Sequence, residues 1–104
     1  MNKIKVFSGT SNLKLSKSIC KKLKLPLGKL EIKRFNDGEI FVEVDESVRG
    51  SNAYVIQSTS SPVNENLMEL FIIVDALKRA AVNEITAVIP YFGYSRQDRK
   101  VTDR

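Results

Sequence analysis

Ile85-Thr86-Ala87-Val88-Ile89-Pro90-Tyr91-Phe92-Gly93-Tyr94-Ser95-Arg96-Gln97-Asp98-Arg99-Lys100 decides how this chain is read. Its first half is a β-rich apolar run, which predicts a buried strand. Pro90 and Gly93 then end the strand. The second half combines aromatic rings, an amide and three cations around one carboxylate. Ligands of open α/β sheets bind just beyond the carboxyl ends of the strands. Guanidinium groups leaving such a strand suit a polyanion such as a nucleotide phosphate chain. From composition alone, a solvated charged loop is an equal reading.

Working back from this stretch, strands alternate with helices. Ile4-Lys5-Val6-Phe7 predicts a first strand, and Ser11 or Asn12 an N-cap. Leu15, Ile19 and Leu23 form a helical stripe, with Lys14, Lys17, Lys21 and Lys22 mostly on a solvated face. Pro26 and Gly28 are expected to end that helix. Leu30–Phe35 and Glu39–Val44 alternate around Asn36-Asp37-Gly38, a hairpin signal. At its tip, the residues alone favour turn-making for Asp37 and packing for Phe35. The functional alternative is a ring stacked on a base, with carboxylates accepting from an exocyclic amine.

Asp45–Asn52 reads as a polar loop and Ala53–Gln57 as a strand buried on both faces. A helix is predicted over about Glu65–Ala81, with Asn64 as N-cap. Its stripe is Leu67, Leu70, Phe71, Val74, Leu77 and Ala81. Met68, Ile72, Ile73 and Ala76 extend it almost all round, which calls for cover on more than one side. The order predicts an α/β fold: a mostly parallel sheet flanked by helices, with a projecting β-hairpin.

Bulk properties narrow the function. A chain of 104 residues is enough for one domain, and 42% hydrophobic with 28% charged is an ordinary globular composition. No apolar run reaches the ~18 residues of a membrane helix. The one cysteine, Cys20, cannot close an internal disulfide and reads as a buried thiol. A cytoplasmic location without membrane partners is expected. The net charge of +5 favours anionic partners. Histidine is absent, which removes the commonest general base and transition-metal ligand. Neither a Walker-type phosphate loop, nor a dinucleotide fingerprint, nor zinc spacing, nor a kinase signature occurs.

Several motifs in order carry a specific resemblance. They are Phe35-Asn36-Asp37-Gly38-Glu39, Glu46-Ser47-Val48-Arg49-Gly50, Gln57-Ser58-Thr59, Pro62-Val63-Asn64-Glu65-Asn66-Leu67-Met68-Glu69-Leu70, and Ala87–Lys100. Together with Phe7-Ser8-Gly9 they resemble the N-terminal half-domain of ribose-phosphate pyrophosphokinase, over nearly the whole chain. Ser95 stands where that family more often has Ala.

The resemblance implies a phosphoribosyltransferase-like N-terminal domain over residues 1–104, incomplete, without the C-terminal ribose-phosphate domain. It implies transfer of the β,γ-diphosphoryl group of ATP, with Mg²⁺, to the C1 hydroxyl of ribose 5-phosphate, giving PRPP and AMP. The implied ATP-binding residues are Phe35, Asp37, Gly38, Glu39, Arg96 and Gln97. Ser47 and Arg104 fall near a regulatory phosphate/ADP site, although Val101-Thr102-Asp103 departs from the usual loop. The hairpin tip and arginine loop of one ATP site come from different subunits in that family. A homo-oligomer, a hexamer in the full-length enzyme, is therefore expected. The metal-binding His and the catalytic Lys and Arg are expected elsewhere, so no catalytic or metal-ligating residue is assigned here and these residues alone should not turn over. A non-catalytic regulatory subunit of the same fold is the alternative. Nucleic-acid binding is disfavoured, because the basic residues do not alternate with exposed aromatics as a stacking platform requires.

Overall fold

The computed structural model describes residues 3–98. The elements run in the order β1 (Ile4–Ser8), α1 (Leu13–Leu23), β2 (Leu30–Arg34), β3 (Ile40–Val44), β4 (Asn52–Ile56), α2 (Val63–Arg79) and β5 (Glu84–Val88). A 3-10 turn, Ser95–Asp98, comes after β5. Strand β4 is central and pairs parallel with β1 on one side and β5 on the other. Strands β2 and β3 form a separate antiparallel hairpin. This is the mixed α/β architecture that the alternation of periods predicts, with the hairpin outside the main sheet.

Alternation along β1 and β4 divides the interior. Phe7, Ala53 and Val55 face one side, where Leu70, Ile73, Ala76 and Leu77 of α2 and Val42 of the hairpin complete the larger core. Val6 and Ile56 face the other side and pack on Cys20 of α1. Val48 is also buried in the larger core, although it lies in a stretch that reads as a polar loop. A side chain at Gly28 would collide with the Phe7 ring, so the link into the hairpin can pass over the core only as glycine.

The structure decides between the two expected caps of α1 and corrects several other expectations. Helix α1 is capped by Asn12, whose Oδ1 accepts from the Leu15 N–H at 3.1 Å. It ends at Lys24, which takes a left-handed conformation (φ 58°), ahead of Pro26 and Gly28. Its most buried residues are Ser16 and Cys20; Leu15 and Ile19 are half-buried and Leu23 is exposed. The inward line includes Ser16, whose hydroxyl accepts from the Ser8 hydroxyl at 2.6 Å.

Helix α2 starts at Val63. Pro62 holds the cap position without a side-chain bond, and Asn64 lies inside the first turn. Its buried line is Asn66, Glu69, Leu70, Ile73, Ala76 and Leu77, with Phe71 and Met68 exposed. Hydrophobicity misplaced this line, since two of its members are polar and satisfied by tertiary partners. Strand β5 is mostly exposed instead of buried. Its outer edge has no partner strand among the described residues, and apolar composition alone cannot supply one. No helix among the described residues is long and apolar enough to cross a membrane.

Candidate functional site

Three strand exits converge at the carboxyl end of the sheet, and backbone bonds lace them together beyond the strands. Gly9 N–H donates to Ile56 C=O at 3.0 Å, Gln57 N–H to Val88 C=O at 3.0 Å, and Thr59 N–H to Tyr91 C=O at 2.8 Å. Thr59 is fully buried, and its hydroxyl accepts from Gly93 N–H at 2.8 Å. A Cβ at Gly93 would overlap the Thr59 carbonyl oxygen and come within 2.8 Å of Val63 Cγ1. Gly93 is thus the point of close approach that turns the β5 exit across the β4 exit. The Tyr94 hydroxyl then donates to Asn64 Oδ1 on α2. Ser95 N–H bonds to Phe92 C=O at 3.1 Å and opens the turn that carries Arg96.

The hairpin brings a fourth segment to the same end. Arg34 and Ile40 form its last registered pair. Beyond them, Phe35 N–H bonds to Glu39 C=O at 2.8 Å and Gly38 N–H to Phe35 C=O at 2.9 Å. Gly38 has φ 94°, the left-handed residue that closes a three-residue hairpin loop. Asp37 Oδ1 accepts from Glu39 N–H at 3.0 Å, so this carboxylate shapes the turn while remaining exposed. Phe35 is 52% exposed and meets Phe41 edge-on, with centroids 6.2 Å apart.

Behind these surfaces lies a buried polar network that the sequence reading did not assign, although Gln57, Asn66 and Glu69 lie within the motifs quoted above. Glu69, fully buried on α2, accepts from Thr10 N–H at 2.6 Å, Thr10 Oγ1–H at 2.8 Å, Arg34 Nη2–H at 2.9 Å and Gln57 Nε2–H at 2.9 Å. Gln57 Oε1 in turn accepts from the Ser11 N–H and hydroxyl. A further signal in the sequence was spacing: Asn66 and Glu69 continue, toward the helix start, the i, i+3, i+4 line of Leu70 and Ile73.

The structure divides the expected site residues between two ends of the domain. Phe35, Asp37, Gly38 and Glu39 sit together at the exposed hairpin tip, and Arg96 is exposed on the turn after β5. Gln97 is placed by its backbone in the same turn, and its side chain lies outside what is described, as do Arg99, Lys100 and Arg104. Ser47 precedes β4, at the opposite end of the sheet from the exits. It lines a hollow of ≈ 400 Å³ with Lys3, Lys5 and Arg49.

Charge is uneven over this surface. Burial pushes the Glu46 carboxyl up, but bonds from the Lys5 ammonium and the Lys29 N–H, both at 2.7 Å, hold it below the usual carboxylate range. On the outer face of the hairpin, Glu31 lies directly opposite Glu43. The carboxylates of Asp45 and then Glu31 beside Glu43 push its carboxyl up. Among the described residues, these three form the cluster whose oxygens approach within 4.8 Å. They belong to the hairpin base, away from the Phe35 tip, and two are exposed. The Cys20 thiol is raised by burial.

The fold and these exits define an open-sheet α/β domain whose ligand end joins three strand exits to an aromatic hairpin. A hypoxanthine phosphoribosyltransferase from Staphylococcus aureus shares the fold, with TM-score 0.59 at 12% identity over 99% of this chain and 59% of that one. A family model described as the N-terminal domain of ribose phosphate pyrophosphokinase matches residues 4–104, and the chain belongs to that family. It is 60% identical over 103 residues to a ribose-phosphate pyrophosphokinase of Fusobacterium nucleatum, covering 99% of this chain and 33% of that protein. A ribose-phosphate pyrophosphokinase of Campylobacter jejuni is 55% identical over 104 residues, 100% of this chain and 34% of that protein. The phosphoribosylpyrophosphate synthetase of Mycobacterium smegmatis superposes with TM-score 0.92 at 41% identity, over 99% of this chain and 35% of that one. The chain thus spans about a third of the length of the curated relatives it matches.

Proposed function

We propose that this chain supplies the ATP contacts of a ribose-phosphate diphosphokinase. The enzyme would move the β,γ-diphosphoryl group of ATP to the C1 hydroxyl of ribose 5-phosphate, forming PRPP and AMP. The match of the family over residues 4–104 carries this reading. The exposure of Phe35, Asp37, Gly38, Glu39 and Arg96 supports it.

Phe35 offers an exposed ring for the adenine face, and Gly38 and Asp37 shape the turn that presents it. Glu39, exposed beside it, accepts from the adenine amino group. Arg96 places a guanidinium toward the phosphates, where fixed positive charge favours the charge that develops in phosphoryl transfer. Gln97, next in the same turn, completes the grip. Mg²⁺ would arrive with the triphosphate; the carboxylate cluster among the described residues sits at the hairpin base.

Tip and turn come from different protomers of a homo-oligomer. Met68 and Phe71, about half exposed on α2, are apolar surface available to such contacts. The Ser47 hollow, with three cations on its lining, is suited to a regulatory phosphate. On this reading residues 1–104 act as an N-terminal ATP-binding half-domain that does not turn over by itself, the metal-binding His and the catalytic Lys and Arg being expected in other parts of the enzyme.

ATP titration calorimetry tests the reading. Phe35→Ala should weaken ATP binding about tenfold or more, the loss of one base–aromatic stack. Arg96→Ala should do the same through one charge-assisted contact. Unchanged ATP affinity in both variants would refute the assignment.

A further inference from the structure

A buried carboxylate is costly unless fully paired, and a well-packed hydrophobe at its position is often no less stable. Glu69 nevertheless stands on the inward face of α2, between core residues, at 0% exposure. Its four donors come from three segments far apart in sequence: the β1 exit, the end of β2 and the end of β4. The approach is close enough that a Cβ at Gly9 would overlap Gln57 and lie 2.7 Å from Glu69 Oε2. Arg34 immediately precedes Phe35, and residues 35–39 beyond it are all exposed. The Arg34–Glu69 pair, at 2.9 Å, is therefore the last polar tie of the hairpin to the body of the domain before the tip.

We propose that Glu69 is the positioning residue of the hairpin: through Arg34 it sets where the Phe35 tip stands relative to the β1 and β4 exits. Its two oxygens divide the task. Oε1 takes Arg34 and the Thr10 hydroxyl; Oε2 takes the Thr10 amide and Gln57. A helix on the core side of the domain thus governs a surface it does not reach. The nucleotide consequence rests on the function proposed above; the placement of the hairpin does not.

The test uses a spin label at Asn36→Cys in the full chain, with buried Cys20 left in place, and reads paramagnetic relaxation of amides in the β1 and β4 exits. Glu69→Gln keeps the size but turns an acceptor into a donor facing donors. Arg34→Met keeps the stem and leaves the other three bonds to Glu69. Each should weaken and spread the relaxation at Thr10 and Ser11 while amides of the central strand keep their slow hydrogen exchange. Each should also weaken ATP binding by about tenfold, one charge-assisted hydrogen bond, with the double variant no worse than either. A purely structural role would instead lower the melting temperature and speed exchange everywhere, leaving the relaxation pattern of the folded fraction intact; that result overturns the proposal. If Glu69→Gln does not fold, Arg34→Met decides on the same readout. Should the parent chain fail to bind ATP, the functional reading falls while the relaxation measurement still decides the clamp.

Discussion

Replacing Gly93 by alanine should both destabilise the domain and disable its cationic turn. No positive φ is required at Gly93, so the backbone conformation itself tolerates a side chain. Space is what forbids it. The new methyl would overlap the Thr59 carbonyl oxygen and lie 2.8 Å from Val63 Cγ1. Neither neighbour can yield easily. Thr59 is fully buried and tied to Tyr91, and Val63 begins α2. The β5 exit must therefore move away, which stretches the Gly93–Thr59 bond of 2.8 Å. Overpacking of this kind costs about 1–3 kcal/mol and a lost hydrogen bond about 1 kcal/mol. A net loss of about 2 kcal/mol corresponds to roughly 8–16 °C in a domain of this size. Thermal unfolding followed by far-ultraviolet circular dichroism measures it. The same shift displaces the turn bearing Arg96, so ATP affinity should fall even well below the new melting temperature. Thr59→Val, which removes the hydroxyl that accepts from Gly93 N–H and donates to Tyr91 C=O without adding bulk, should reproduce a smaller part of both effects. If Gly93→Ala melts with the parent chain and binds ATP equally well, the claim that this crossing positions the turn is wrong.

Local geometry sets two further outcomes. Lys24 closes α1 in a left-handed conformation (φ 58°), so Lys24→Gly should raise stability by about 0.5–1 kcal/mol in denaturant titration, glycine adopting that region without a Cβ clash. Glu46 is held below the usual carboxylate range by Lys5 and the Lys29 amide, with its side chain 21% exposed. Its stabilisation is complete above the ordinary value of about 4.3 and disappears as the pH drops through the lower folded value. Glu46→Gln should cost about 1–2 kcal/mol at neutral pH through the loss of charge-assisted bonds, and should flatten the acid limb of the stability curve. An unchanged acid limb would count against the pairing.

Local chemistry in the chain was sufficient for the order of the elements and for the hairpin turn. Asn12 caps α1 because a short acceptor before an apolar period does so wherever it occurs. Asn36-Asp37-Gly38 makes the hairpin because Gly38 can take φ 94° and Asp37 can bond two residues on. Alternation of periods, together with the motif order, led to the α/β fold, and Phe35 and Arg96 face outward as a ligand-directed reading requires.

The features that stayed illegible depend on partners distant in the chain. Glu69 looks like an exposed helix charge until Thr10, Arg34 and Gln57 arrive around it. Phe71 looks like core until α2 turns its polar Asn66 and Glu69 inward. Strand β5 has the composition of a buried strand, yet its exposure is set by what packs beside it. Periodicity and turn preference are properties of a few neighbouring residues, so sequence carries them. Burial and polar pairing are properties of the assembled space, and only the tertiary structure decides which side of a helix carries a satisfied charge.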